Sequence, residues 1–187
     1  MVQKKRKLAA GDNGSDNKKH NASNSTSSAL NVISPELLTK ESRTQLKKAH
    51  DAALPYKHVV LSPLCDPDHM KHVHNEIIHN LDGTLKETDL YKVYQTPEMS
   101  RIKSEHEQNR KLLGHLLDLR SAIYSTEFRE FVQDITGCDE LTDRTDLSCN
   151  AYSQGCHLLC HDDVIGTRCI SFIMYVTDPE SDWDAQD

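Results

Sequence analysis

The sequence predicts an α+β domain, helices first and strands last, behind a tail with no fold of its own. Three features point there. Residues 1–31 are Lys-, Asn-, Ser- and Gly-rich with almost nothing apolar, a composition that cannot offset the entropy of ordering. From residue 34 to 137 apolar side chains recur at three- and four-residue spacing between capping residues. After Leu147 the pattern changes to period two, rich in β-branched and aromatic residues. A chain of 187 residues, 36% of them hydrophobic, can bury one modest core with room for a small second one.

The first helix is predicted from Ser34, which can cap, and Pro35, which suits the first helical position, to a stop before Pro55. Lys57 to Leu61, β-branched and bounded by Pro55 and Pro63, has the character of a short strand. Asp66 caps a second helix opened by Pro67, with Met70, Val73, Ile77 and Leu81 on one stripe and Asp82-Gly83 ending it. His69, His72, His74 and His79 decorate this helix without a Cys or carboxylate at ligand spacing, so they are expected on the surface. Leu85 to Gln95 forms a strand, alone or as one of a pair. Leu112, Leu116, Leu119 and Ile123, widened by Leu113 and Leu117, predict a helix over about 107–124 despite Gly114. Ser125 and Thr126 can cap the next, which turns Phe128, Phe131, Val132 and Ile135 inward and stops at Gly137. Leu147 to Cys160 and Arg168 to Val176 complete the set as strands, joined by a turn near residues 162–167 containing Gly166.

Charge divides the chain. Residues 1–50 carry a net charge of +6 and residues 51–187 a net charge of −13, so the body is acidic and unsuited to broad nucleic-acid binding. Lys4 to Lys7 followed, ten residues on, by Lys18-Lys19 has the spacing of a two-part nuclear import signal, implying an import carrier as partner for residues 4–19. No apolar segment follows the basic start as a secretory signal would require, and the longest apolar stretch, Cys169 to Val176, is far short of a membrane span. The expected compartment is reducing, and the six cysteines are expected as free thiols or metal ligands rather than disulfides.

The segment that carries chemistry is Cys156-His-Leu-Leu-Cys-His-Asp-Asp163. Alternate side chains of an extended chain share a face, so His161 and Asp163 can both reach one cation. A histidine, a carboxylate two residues later and a histidine from a distant strand make the facial triad that holds non-haem Fe(II). A different reading uses Cys156, Cys160 and His161, with Cys149 or Cys169, as a closed zinc site in an interaction module. It lacks a Cys-x-x-Cys pair, and Cys156 and Cys160 fall on the strand face opposite His161.

The run from Asp146 to Pro179, with Leu158-Leu-Cys-His-Asp-Asp163, then Arg168 and Ile170-Ser-Phe-Ile-Met-Tyr-Val176, resembles the catalytic segment of the prolyl hydroxylases that act on a small-subunit ribosomal protein. Asp89-Leu-Tyr-Lys92 and Glu127-Phe-Arg129 extend the resemblance over most of residues 35–187. It implies helices packed on a double-stranded β-helix, or jelly roll, with Fe(II), 2-oxoglutarate as cosubstrate, and ascorbate keeping the iron reduced. The activity it implies is hydroxylation of a ribosomal proline, which tunes decoding and termination, in a protein living in nucleus and cytoplasm. By the same resemblance His161 and Asp163 are iron ligands, and Tyr152 and Tyr175 hydrogen-bond the 2-oxoglutarate carboxylates. Strict alternation puts Tyr152 on the face opposite His161, so that role needs a bulge, for which Gly155 is the expected place.

The third ligand and the arginine that pairs with the far carboxylate of 2-oxoglutarate lie, in that family, well downstream of the His-x-Asp motif. No histidine follows His161, and Arg168 is misplaced for the second task. The expectation is therefore an incomplete jelly roll over residues 32–187, from a fragment or an inactive isoform, that turns over no 2-oxoglutarate by itself.

Overall fold

A computed structural model describes residues 30–163, 166 and 168–177. The basic tail, with the import signal expected at residues 4–19, falls outside these residues, as does the last stretch from 178 to 187. Leu30–Val32 form a single 3-10 turn, so residues 30 and 31, expected in the tail, belong to an element.

Among the described residues, five α-helices and a small antiparallel sheet make an α+β fold. The first predicted helix is divided: Pro35–Leu38 is a 3-10 turn, and α1 runs Lys40–Ala52 behind its own cap, Thr39, whose hydroxyl accepts from the Ser42 amide. Helix α2 spans Pro67–Asn80, and Asp66 Oδ1 accepts from the Asp68 and His69 amides at 3.0 and 3.1 Å, satisfying donors that a helix start leaves open. Between them, 57–61 forms no strand. Its β-branched pair Val59 and Val60 finds no neighbouring strand, and Val59 instead packs on the core from a loop.

The leucine-rich segment is two helices, α3 at Glu107–Leu112 and α4 at Gly114–Ile123, parted at Leu113, whose backbone leaves the helical region (φ −134°, ψ 28°). Leu112, expected in the core stripe, is exposed as a result. The break has a partner in tertiary structure. Glu76 of α2 places its carboxylate at the start of α4, where Oε1 accepts the His115 amide at 3.0 Å and Oε2 the Leu116 amide at 2.8 Å. An acceptor from another helix thus replaces the carbonyls a continuous helix would supply, and its charge suits the positive end of the helix. Burial pushes the Glu76 carboxyl up, yet the hydrogen bonds from Leu116 and His115 outweigh it and leave the group below its ordinary value. Its stabilisation is therefore present above the ordinary carboxylate range and lost as pH falls through the lowered value. Glu76→Gln should cost about 1–2 kcal/mol in urea unfolding at pH 7, and the deficit should shrink as the pH is taken towards 3.

Helix α5, Thr126–Thr136, matches its prediction. The Ser125 hydroxyl accepts from the Phe128 amide at 3.1 Å, and Gly137 closes the helix at φ +67°, a conformation glycine adopts without strain. Leu116, Leu117, Leu119, Ala122 and Ile123 of α4 meet Phe128, Phe131 and Ile135 of α5 in the core, and Val73 of α2 and Met99 join them. Arg120 lies within this apolar layer and donates through Nη1 to the Met99 and Ile102 carbonyls at 2.7 and 2.6 Å. The Met99 amide in turn donates to the Leu147 carbonyl, and Thr96 exchanges hydrogen bonds with Cys149. Helix α4 thereby fixes the strand that leads into the candidate site.

Residues 85–95 form a hairpin, β1 at Thr84–Glu87 and β2 at Tyr91–Gln95, turned by Thr88, whose hydroxyl accepts the Leu90 and Tyr91 amides. Val93 points into the core and Leu85 and Tyr94 outward. The predicted strand over 147–160 shrinks to two short pieces on the same side of β2, β3 at Asn150–Ala151 and β4 at His157–Leu158. Among the described residues no strand forms over 168–176. Met174 and Val176 pack on the core while Ile173 and Tyr175 face solvent, so alternation holds over 173–176 without a hydrogen-bonded partner strand, and exposed Phe172 breaks it.

Candidate metal-binding site

The site grows out of the β2 edge. Tyr94 pairs with Ala151 and Tyr91 with Leu158, so three steps along β2 correspond to seven along its partner, which therefore carries four extra residues. The excess loops out over residues 152–156, where Gly155 takes φ +83° and the Cys156 amide closes a turn onto the Ser153 carbonyl at 2.8 Å. A conformation of that kind favours glycine. The excursion frees Tyr152 from strict alternation. Its phenol lies close enough to Cys156 and Tyr175 that, after burial, their charges are the next causes raising its pKa. Tyr152 is 51% exposed and Tyr175 83% exposed, so both hydroxyls are accessible.

Beyond β4 the pairing carries one residue further, with the Leu159 amide donating to the Leu90 carbonyl at 2.9 Å. His161 follows and is held by its own backbone: Nδ1 lies 2.8 Å from the Leu159 carbonyl. A carbonyl can only accept, so Nδ1 carries the hydrogen and the neutral ring keeps its lone pair on Nε2. That nitrogen faces Asp163 Oδ1 at 3.4 Å. Two acceptors this close need a proton or a cation between them. Ligands about 2.1 Å from one ion and at right angles to each other sit about 3 Å apart, so the spacing suits a shared metal. The Nδ1–carbonyl bond is the arrangement that orients a metal-binding histidine.

The donor set is thus suited to two positions of a metal site. Among the described residues no group of three or more His, Cys, Asp or Glu side chains is placed to hold a metal ion. The zinc reading loses its geometry for the same reason. The Cys169 thiol interacts with Cys138 of the α5 terminus rather than with Cys156 or Cys160. Cys156 itself is anchored to Ser153, whose backbone and hydroxyl hold its thiol below the usual value, whereas burial pushes Cys65 up to about 11. At pH 7.5, iodoacetamide should label Cys156 well before Cys65, with each site followed by peptide mass spectrometry; equal rates would contradict this placement.

His72 and His69, expected as plain surface decoration, turn out to form a cluster with His115. Nothing in the spacing of His69 and His72 announces His115, which comes from another helix.

The β2 edge thus leads to the His161-x-Asp163 pair, with Tyr152 on the excursion before it. Residues 147–187 match the family model of the 2OG-Fe(II) oxygenase superfamily. Among curated proteins the chain is 42% identical over 133 residues to the prolyl 3,4-dihydroxylase OGFOD1 of Ostreococcus tauri, covering 71% of this chain and 26% of that protein. It is 30% identical over 193 residues to the prolyl 3-hydroxylase OGFOD1 of Xenopus laevis, covering 98% of this chain and 34% of that protein. The mouse prolyl 3-hydroxylase OGFOD1 is 28% identical over 166 residues, covering 82% and 27%. The chain thus spans about a quarter to a third of the length of these relatives.

Proposed function

We propose that these residues form part of an Fe(II)- and 2-oxoglutarate-dependent prolyl hydroxylase whose substrate is a small-subunit ribosomal protein. The names of the relatives support prolyl hydroxylation, and the resemblance of the His-x-Asp segment supports the ribosomal substrate. The observation that carries the reading is the approach of His161 Nε2 to Asp163 Oδ1, with the ring tautomer set by Leu159.

In this reading His161 and Asp163 hold the iron, which when bound supplies the oxidative chemistry that couples decarboxylation of 2-oxoglutarate to hydroxylation of a prolyl C–H bond. The Leu159 carbonyl keeps the His161 lone pair aimed at the metal. Tyr152 and Tyr175 donate hydrogen bonds to the carboxylates of 2-oxoglutarate, offering donors without adding charge. The jelly roll, a supporting role for ascorbate, and a nuclear and cytoplasmic life with import through residues 4–19 belong to the same proposal.

The test separates metal from cosubstrate. With Mn(II) as a redox-silent stand-in for iron, titration calorimetry should show 2-oxoglutarate binding only after the metal. Tyr152→Phe and Tyr175→Phe should weaken 2-oxoglutarate several-fold and leave Mn(II) unchanged. Binding of 2-oxoglutarate that ignores Mn(II) and both tyrosines would overturn the reading.

A further inference from the structure

The contact between α2 and α4 holds three imidazoles over one carboxylate. His115 Nδ1 lies 2.7 Å from Glu76 Oε1. The His72 ring stacks on that of His115 with centroids 4.4 Å apart and planes within 13°. His69 meets the same ring edge-on at 5.2 Å, and its Nε2 donates to the His115 carbonyl at 3.1 Å. Because Glu76 also caps the first turn of α4, the charge of this cluster and the seating of that helix share a single side chain.

The geometry points to a proton-operated latch between α2 and α4, closed while the cluster carries at most one proton and loosened when it takes a second. A proton on His115 faces the Glu76 carboxylate and is welcome there. A second one on His72 sets two cations face to face across the stack, with Glu76 the carboxylate in contact to offset them. The surrounding charges are largely engaged. Asp66 accepts the α2 amides, Arg110 of α3 binds Asp118 of α4 at 2.7 Å, and Lys71 pairs with Asp68 in solvent. Glu105 lines the adjoining cavity together with Arg110. Histidine is the side chain that ordinarily changes charge between pH 5 and 8, so mild acidification is the signal. The consequence reaches the site edge, because α4 carries the Arg120 contacts that hold Met99 against Leu147.

The test is the thermal midpoint of the full 187-residue chain from pH 7.5 to 5.0 for wild type, His72→Phe and His72→Gln. Phenylalanine keeps the stacked ring and cannot charge; glutamine stays polar, cannot charge, and serves if the first variant folds poorly. The wild type should lose about 3 °C or more beyond either variant over that range. Parallel midpoint profiles for the wild type and both variants would overturn the latch.

Discussion

Phe131→Ala should destabilise the chain by about 3–5 kcal/mol, a large part of the roughly 5–15 kcal/mol that holds an ordinary domain together. Phe131 has no exposed surface, packs beside Phe128 with ring centroids 5.7 Å apart, and lies beneath the Arg43 guanidinium at 5.4 Å. Its ring sits where α1 and α4 converge on α5, so a cavity there cannot be filled by shifting one neighbour. Half-buried Val132, next along α5, provides the comparison: Val132→Ala should cost about 1 kcal/mol. Equilibrium urea unfolding distinguishes the two. Equal losses would place the core elsewhere.

The second large effect is expected from Arg120→Met. This substitution keeps the aliphatic volume but removes the donors from the Met99 and Ile102 carbonyls, and Arg120 is only 9% exposed. Stranding buried acceptors should cost about 2–4 kcal/mol. The damage has a direction, since Met99 is tied to Leu147 and Thr96 to Cys149. Amide exchange should accelerate at Met99 and Cys149, whose N–H groups make those ties, more than in the β1–β2 hairpin. A loss of stability with uniform exchange would mean that Arg120 acts through packing alone.

The helices were readable because their signals are local. Asp66-Pro67, Ser125 and Gly137 each satisfy a helix end from within a few residues, and structure and pattern agree there. The break at Leu113 depends on Glu76, thirty-nine residues before His115, and no local pattern can announce a cap supplied by a distant helix. Strands failed for a related reason. A segment of strand composition becomes a strand only with a partner, and 57–61 and 168–176 have the composition without the pairing. In the site, His161 and Asp163 come together as their spacing implies, and the register excursion includes Gly155, the place expected for it. Arg120 was read only as part of a helix, because a charged residue gives no sign from sequence that its charge is buried.

The central claim is that His161 and Asp163 grip one metal ion, and paramagnetic NMR addresses it directly. Sub-stoichiometric Mn(II) should broaden the His161 ring and Asp163 signals first and leave the His72–His115 cluster sharp. His161→Ala and Asp163→Ala should each weaken Mn(II) binding at least tenfold. Broadening that centres on other residues, or affinity unchanged in both variants, would contradict the account.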